Sequence, residues 1–111
     1  MENHRLVSTQ HLNHHGRLFG GYLLAWVDEF AYMAVCQEFQ ITSFVTVAMD
    51  KAEFLHGVDL GSILRFVSTR ITRGTTSVTC EVEVEHEGVV IFSNRVTFVH
   101  VGPDGKKKPL P

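Results

Sequence analysis

From Gly20 to Phe39 the chain reads GGYLLAWVDEFAYMAVCQEF, with no proline and mostly good helix formers. That makes about five turns, or roughly 30 Å of helix. Its apolar residues, from Tyr22, Leu23 and Leu24 through Trp26, Val27, Phe30 and Ala31 to Met33, Ala34 and Val35, nearly encircle the axis. A helix apolar on almost all sides is expected to be buried on almost all sides. No second segment of this kind exists, so whatever covers the helix must be built from strands.

The remainder supplies them. SFVTVAMDKAEFL and GSILRFVSTRITRG are rich in β-branched and aromatic residues. TTSVTCEVEVEHEG alternates cleanly, with Val78, Cys80, Val82 and Val84 on one face and Thr79, Glu81, Glu83 and Glu85 on the other. VVIFSNRVTFVHV follows after a tight Glu87-Gly88 turn, which gives a hairpin. A short first strand is expected over 5–8 and a loop over 9–19. Consecutive strands on short loops pair antiparallel. The economical solution is an α+β fold, an antiparallel sheet curled around one long central helix. With 111 residues the chain is one domain, and its last ten residues, 102–111, are expected to fray. A core this thin is naturally supplemented by oligomerisation.

A net charge of −2 gives no reason to expect nucleic acid as a partner. No apolar run reaches the ~20 residues of a membrane span, and MENHRLVSTQ has no apolar signal-peptide core. Cys36 and Cys80 match no metal spacing and suit a reducing compartment. The expectation is a cytoplasmic protein without membrane contact.

Asp28 is the anomaly in the helix. A carboxylate among Val27, Phe30 and Ala31 costs several kcal/mol unless it is paired or hydrated, and such costs concentrate at functional sites. Gly20 and Gly21 leave the first-turn amides uncovered, so these can hold a carbonyl oxygen that turns anionic. The Gly20 and Asp28 positions lie ~12 Å apart along one axis. Two antiparallel copies of the helix would bring them together, in a two-fold dimer with two shared sites. Asn13 can orient water or a carbonyl, or simply close an Asx turn. His11, His14 and His15 lack companion ligands at a metal spacing, so no metal is expected. The Arg73–Ser77 turn, RGTTS, is either a plain hairpin turn or a phosphate contact. Lys106–Lys108 reads as a solvated tail.

Taken together, Asn13-x-x-Gly16-x-x-Phe19-Gly20-Gly21-x-x-Leu24-x-Trp26-x-Asp28 resembles the signature of hotdog-fold acyl-CoA thioesterases, in the YciA-like acyl-CoA hydrolase branch. The resemblance continues through Thr46-Val47, Phe54, Val58, Gly61 and GTTS at 74–77, and spans about positions 5–101. Two motifs depart from it: Phe54-Leu55-His56-Gly57-Val58 replaces Phe-x-x-Pro-Val, and Gly61-Ser62 replaces Gly-Asp. The resemblance implies a homodimer as the working unit, often three dimers in a hexamer. It implies that Asp28 activates water or attacks the thioester, and that Asn13 of the opposing subunit holds water or substrate. Gly20 and Gly21 polarise the carbonyl, and Thr46 stands near the reacting centre. Phe19, Arg73, Thr76 and Ser77 fall among the contacts to substrate and coenzyme A, which enters only as part of substrate and product; no other cofactor is implied.

The expected activity is hydrolysis of acyl-CoA to free acid and CoA. A thiolate leaves without strong acid assistance, so one carboxylate and an oxyanion hole can suffice. Two rivals keep the fold. An acyl-thioester hydratase or dehydratase tends to use a histidine with an acid, and no histidine lies in the helix. A non-catalytic acyl-CoA-binding module would release no thiol.

Overall fold

The computed structural model describes residues 1–111. Strand β1 (Glu2–Leu6) leads through a 3₁₀ turn (Thr9–His11) into α1 (Gly20–Phe39). Four long strands follow: β2 (Phe44–Phe54), β3 (Ile63–Arg73), β4 (Ser77–His86) and β5 (Val89–His100). They form one five-stranded sheet in the order β1-β3-β4-β5-β2, antiparallel at every pairing. The helix lies across one face. No helix is long and apolar enough to cross a membrane.

The helix keeps its expected bounds. Phe19 enters in an extended conformation, and Gln40 ends the helix in the left-handed region at φ 56°. Its buried residues are Leu23, Trp26, Val27, Phe30, Ala31, Ala34 and Val35, a stripe at three- and four-residue spacing that faces the sheet. The opposite side corrects the expectation of burial all round. Gly21, Tyr22, Ala25 and Glu29 are exposed, because a single sheet can cover only one face of a cylinder.

Alternation fixes the register. Val78, Cys80, Val82 and Val84 of β4 lie opposite Phe98, Val96, Asn94 and Phe92 of β5, and all eight are buried against the helix. Phe66 of β3 packs edge-on against Trp26 and Phe30. Phe66, Phe92 and Phe98 have no exposed surface. Each such side chain contributes about 1.5–3 kcal/mol of transfer free energy. The β4–β5 turn places Glu87 at φ 51° and Gly88 at φ 80°, as a two-residue hairpin with right-twisted strands requires. Register shifts in β2, β3 and at Val84/Glu85 mark where the sheet bends around the helix.

The termini differ from expectation in two ways. The first strand lies three residues earlier than 5–8, since Glu2–Leu6 finds its mates at Ile63–Val67. On the solvent face Arg65 is paired with Glu2 at 2.7 Å and with Glu85, which holds the Glu2 carboxyl below the usual range. The tail from 102 to 111 is pinned instead of frayed. Lys108 and Leu110 donate to the His100 and Thr75 carbonyls at 2.9 Å each, and the Leu110 side chain is buried. His100 Nδ1 donates to the carbonyls of Pro109 (2.9 Å) and Lys108 (3.1 Å). Arg73 holds the Pro111 carbonyl at 3.1 Å.

Candidate active site

Asp28 faces away from the buried stripe and is half-buried. Thr46, on edge strand β2, donates its hydroxyl to Asp28 Oδ1 at 2.8 Å. Oδ2 accepts no hydrogen bond within the chain. One oxygen is thus fixed and the other is free to take a proton from a bound molecule. Glu29, the next residue, is exposed.

The helix start is open. Tyr22 and Leu23 amides both reach the Phe19 carbonyl, at 3.1 and 3.4 Å, and no side chain caps the end. The Gly20 and Gly21 amides have no acceptor in the chain, and they carry the positive end of the helix dipole. Rings flank both glycines. A Cβ on Gly20 would lie 3.3 Å from Phe54 Cε1, and one on Gly21 would lie 2.6 Å from Phe19 Cε2. A groove of about 300 Å³ runs past Asn13, Gly20, Leu23, Phe54 and Val58.

Asn13 takes the turn role open to it in sequence. Its Oδ1 accepts the His15 and Arg17 amides at 2.9 and 3.1 Å, closing an Asx turn in which Gly16 takes φ 77°. The side-chain NH₂ remains as a donor at the groove. The loop is anchored where Leu18 donates to the Val58 carbonyl (2.9 Å) and Phe19 donates to the His11 carbonyl (2.8 Å).

Seven residues separate Gly21 from Asp28, which returns within about 20° of the same face after two turns. Both therefore lie on the uncovered side of the helix, with Ala25 between them. In one chain they remain roughly 10 Å apart. Arg73, Thr76 and Ser77 are not brought to the groove. They sit at the other end of the helix, where Arg73 lies 5.4 Å over the Phe39 ring and the Thr76 carbonyl accepts the His100 amide at 2.8 Å.

Two features escaped the sequence. The tail packs along the Arg73–Ser77 turn, which its lysine-rich composition hides. His11 is buried, and its Nδ1 accepts the Ser8 amide at 2.9 Å. The signal was Ser8-x-x-His11, the spacing of a capping box with imidazole in place of Glu or Gln. Tyr32 is tied to the Thr42 carbonyl at 2.5 Å, and partial burial and the adjacent Cys36 push its phenol up, so it stays a neutral donor.

Comparison with known proteins gives concordant matches. Residues 15–92 match the model of the thioesterase superfamily. The acyl-CoA thioester hydrolase YciA of Salmonella typhimurium is 31% identical over 108 residues, covering 89% of this chain and 80% of the relative. An acyl-CoA hydrolase from Staphylococcus aureus, solved with butyryl coenzyme A, coenzyme A and coenzyme A disulfide, superposes with a TM-score of 0.87 at 30% identity, covering 100% of this chain and 68% of that one. A hexameric hotdog fold thioesterase of Campylobacter jejuni superposes with a TM-score of 0.86 at 30% identity, covering 98% and 88%.

Proposed function

The chain belongs to the thioesterase superfamily, among the YciA-like hotdog acyl-CoA thioesterases, and from that premise we propose how it hydrolyses acyl-CoA to a free acid and CoA. Asp28 is the general base. Its free oxygen takes a proton from water as the water oxygen attacks the thioester carbonyl carbon. The carbonyl oxygen becomes an oxyanion held by the Gly20 and Gly21 amides of a twin protomer, whose Asn13 NH₂ orients the water or the carbonyl. Collapse of the tetrahedral intermediate breaks the C–S bond, and the proton on Asp28 passes to the departing sulfur. No metal or further cofactor takes part. Phe19 flanks the acyl end of the site, while Arg73, Thr76 and Ser77, which lie away from the groove of their own protomer, would meet the coenzyme A portion only at a site formed with a neighbouring protomer.

The observation that carries this proposal is the 2.8 Å hydrogen bond that holds a half-buried Asp28 with one oxygen free. The dimer is supported by the open helix face at Gly21 and Ala25 and by the exposed Val45 and Val47 on edge strand β2. Three such dimers, as a hexamer, would be the working assembly, acting in the cytoplasm on fatty acyl-CoA. The test is thiol release from acyl-CoAs ranging from acetyl to palmitoyl. Wild type should release one thiol per acid formed. Asp28→Asn should lose about 10²–10⁴-fold in kcat with an unchanged circular dichroism spectrum. Near-normal turnover by the variant would remove Asp28 from the reaction.

A further inference from the structure

Resting on the hydrolase proposal above, we infer that His11 is a positioning residue. It fixes the 12–21 segment so that the Asn13 NH₂ and the Gly20 and Gly21 amides hold the geometry needed for attack. His11 sits at the last position of the 3₁₀ turn and is 6% exposed. A backbone amide can only donate, so the Ser8 bond requires Nδ1 to be the acceptor, and the ring proton belongs on Nε2. The return bond runs from the His11 amide to the Ser8 carbonyl at 3.0 Å. The ring packs edge-on against Trp26 (4.7 Å between centroids) and Tyr22 (5.0 Å), both in the first two turns of α1.

The backbone of the same residue closes the circuit. The His11 carbonyl accepts the Phe19 amide at 2.8 Å, immediately before Gly20. Asn13 is two residues downstream. One residue, through its ring and its backbone together, therefore ties the segment after β1, the loop that carries Asn13, and the entry to the helix. The other ties of this loop to the rest of the chain, the Leu18 amide on the Val58 carbonyl at 2.9 Å and the Arg17–Asp59 ion pair at 3.1 Å, hold its later half. Displacement of a catalytic group by about 1 Å can cost 10²-fold in rate. Loss of the Nδ1 acceptor would also leave the part-buried Ser8 amide without its partner in the chain.

The test compares three variants of the assembled protein. His11→Phe keeps a ring without an acceptor. His11→Leu and His11→Asn share a branched shape, but only Asn offers an acceptor near the position of Nδ1. With butyryl-CoA, His11→Phe should lose about 10–100-fold in kcat with KM within about threefold. His11→Asn should turn over at least about fivefold faster than His11→Leu. Amide hydrogen exchange over 12–21 should quicken in the Phe and Leu variants and stay nearer wild type in the Asn variant. If His11→Phe does not fold, the Asn/Leu pair decides. Equal kcat and equal exchange in that pair, or wild-type kcat in His11→Phe, overturns the inference. Wild-type protein without thiol release would instead overturn the hydrolase proposal, and the exchange pattern would still decide the role of His11.

Discussion

Thr46 gives the Asp28 carboxylate an orientation and nothing else that the chain supplies. A hydrogen bond to a charged group is worth about 1.5–3 kcal/mol. Thr46→Val removes the hydroxyl while keeping the branched shape, so kcat on butyryl-CoA should fall by about 10–100-fold without loss of the folded spectrum. Turnover within twofold of wild type would show that Asp28 orients itself. Cys80 illustrates the opposite environment. It has no exposed surface, and burial pushes its thiol up, so the reactive thiolate does not form in the native state near neutral pH. Alkylation at pH 8 should therefore spare Cys80 until denaturant is added, as peptide mass mapping would show. That Asp28 would not be fully exposed was legible from its apolar neighbours. Its bond to Thr46 was not, because eighteen residues separate them and only the resemblance placed Thr46 at the centre.

Among the elements, α1 was legible to its ends because nothing in 20–39 competes with helix and the glycines mark its start. The four long strands followed from alternation and from the Glu87-Gly88 turn. The first strand was misplaced because Glu2, Asn3, His4 and Arg5 have the composition of a loop, and only their pairing with β3 makes them a strand. The tail failed for a related reason. Three lysines and three prolines say solvent, while one leucine and a row of backbone bonds hold the segment down. Leu110 buries its side chain in the core, with its amide on the Thr75 carbonyl of the β3–β4 turn, so Leu110→Ala should cost about 2–3 kcal/mol, the low end for a core leucine truncation. Urea unfolding would read this as a lower midpoint at constant slope. A midpoint unchanged within error would mean the tail is held by its backbone alone.

For the molecule as a whole, the helix that looked built for burial on every side is covered on one side only. Sequence reveals how much apolar surface must be hidden, but not which chain hides it. The proposed dimer makes a direct prediction. Asp28→Asn and Gly21→Val each spoil a different half of the same centre. Mixed dimers would carry one centre with both halves damaged and one with both intact. Random mixing of two equal populations makes half of the dimers mixed, so activity should recover to about a quarter of wild type after subunit exchange. Recovery would be read by thiol release after co-unfolding and refolding the two variants together. A mixture no more active than its components would place acid and amides within one protomer.

The distance along α1 between the open helix start and the acid has one more consequence. On the proposed mechanism a lone protomer holds two reagents that do not reach each other, and catalytic capacity would belong to encounters between chains. Rate should then climb more steeply than linearly with protein at the lowest concentrations, straightening only when pairing saturates.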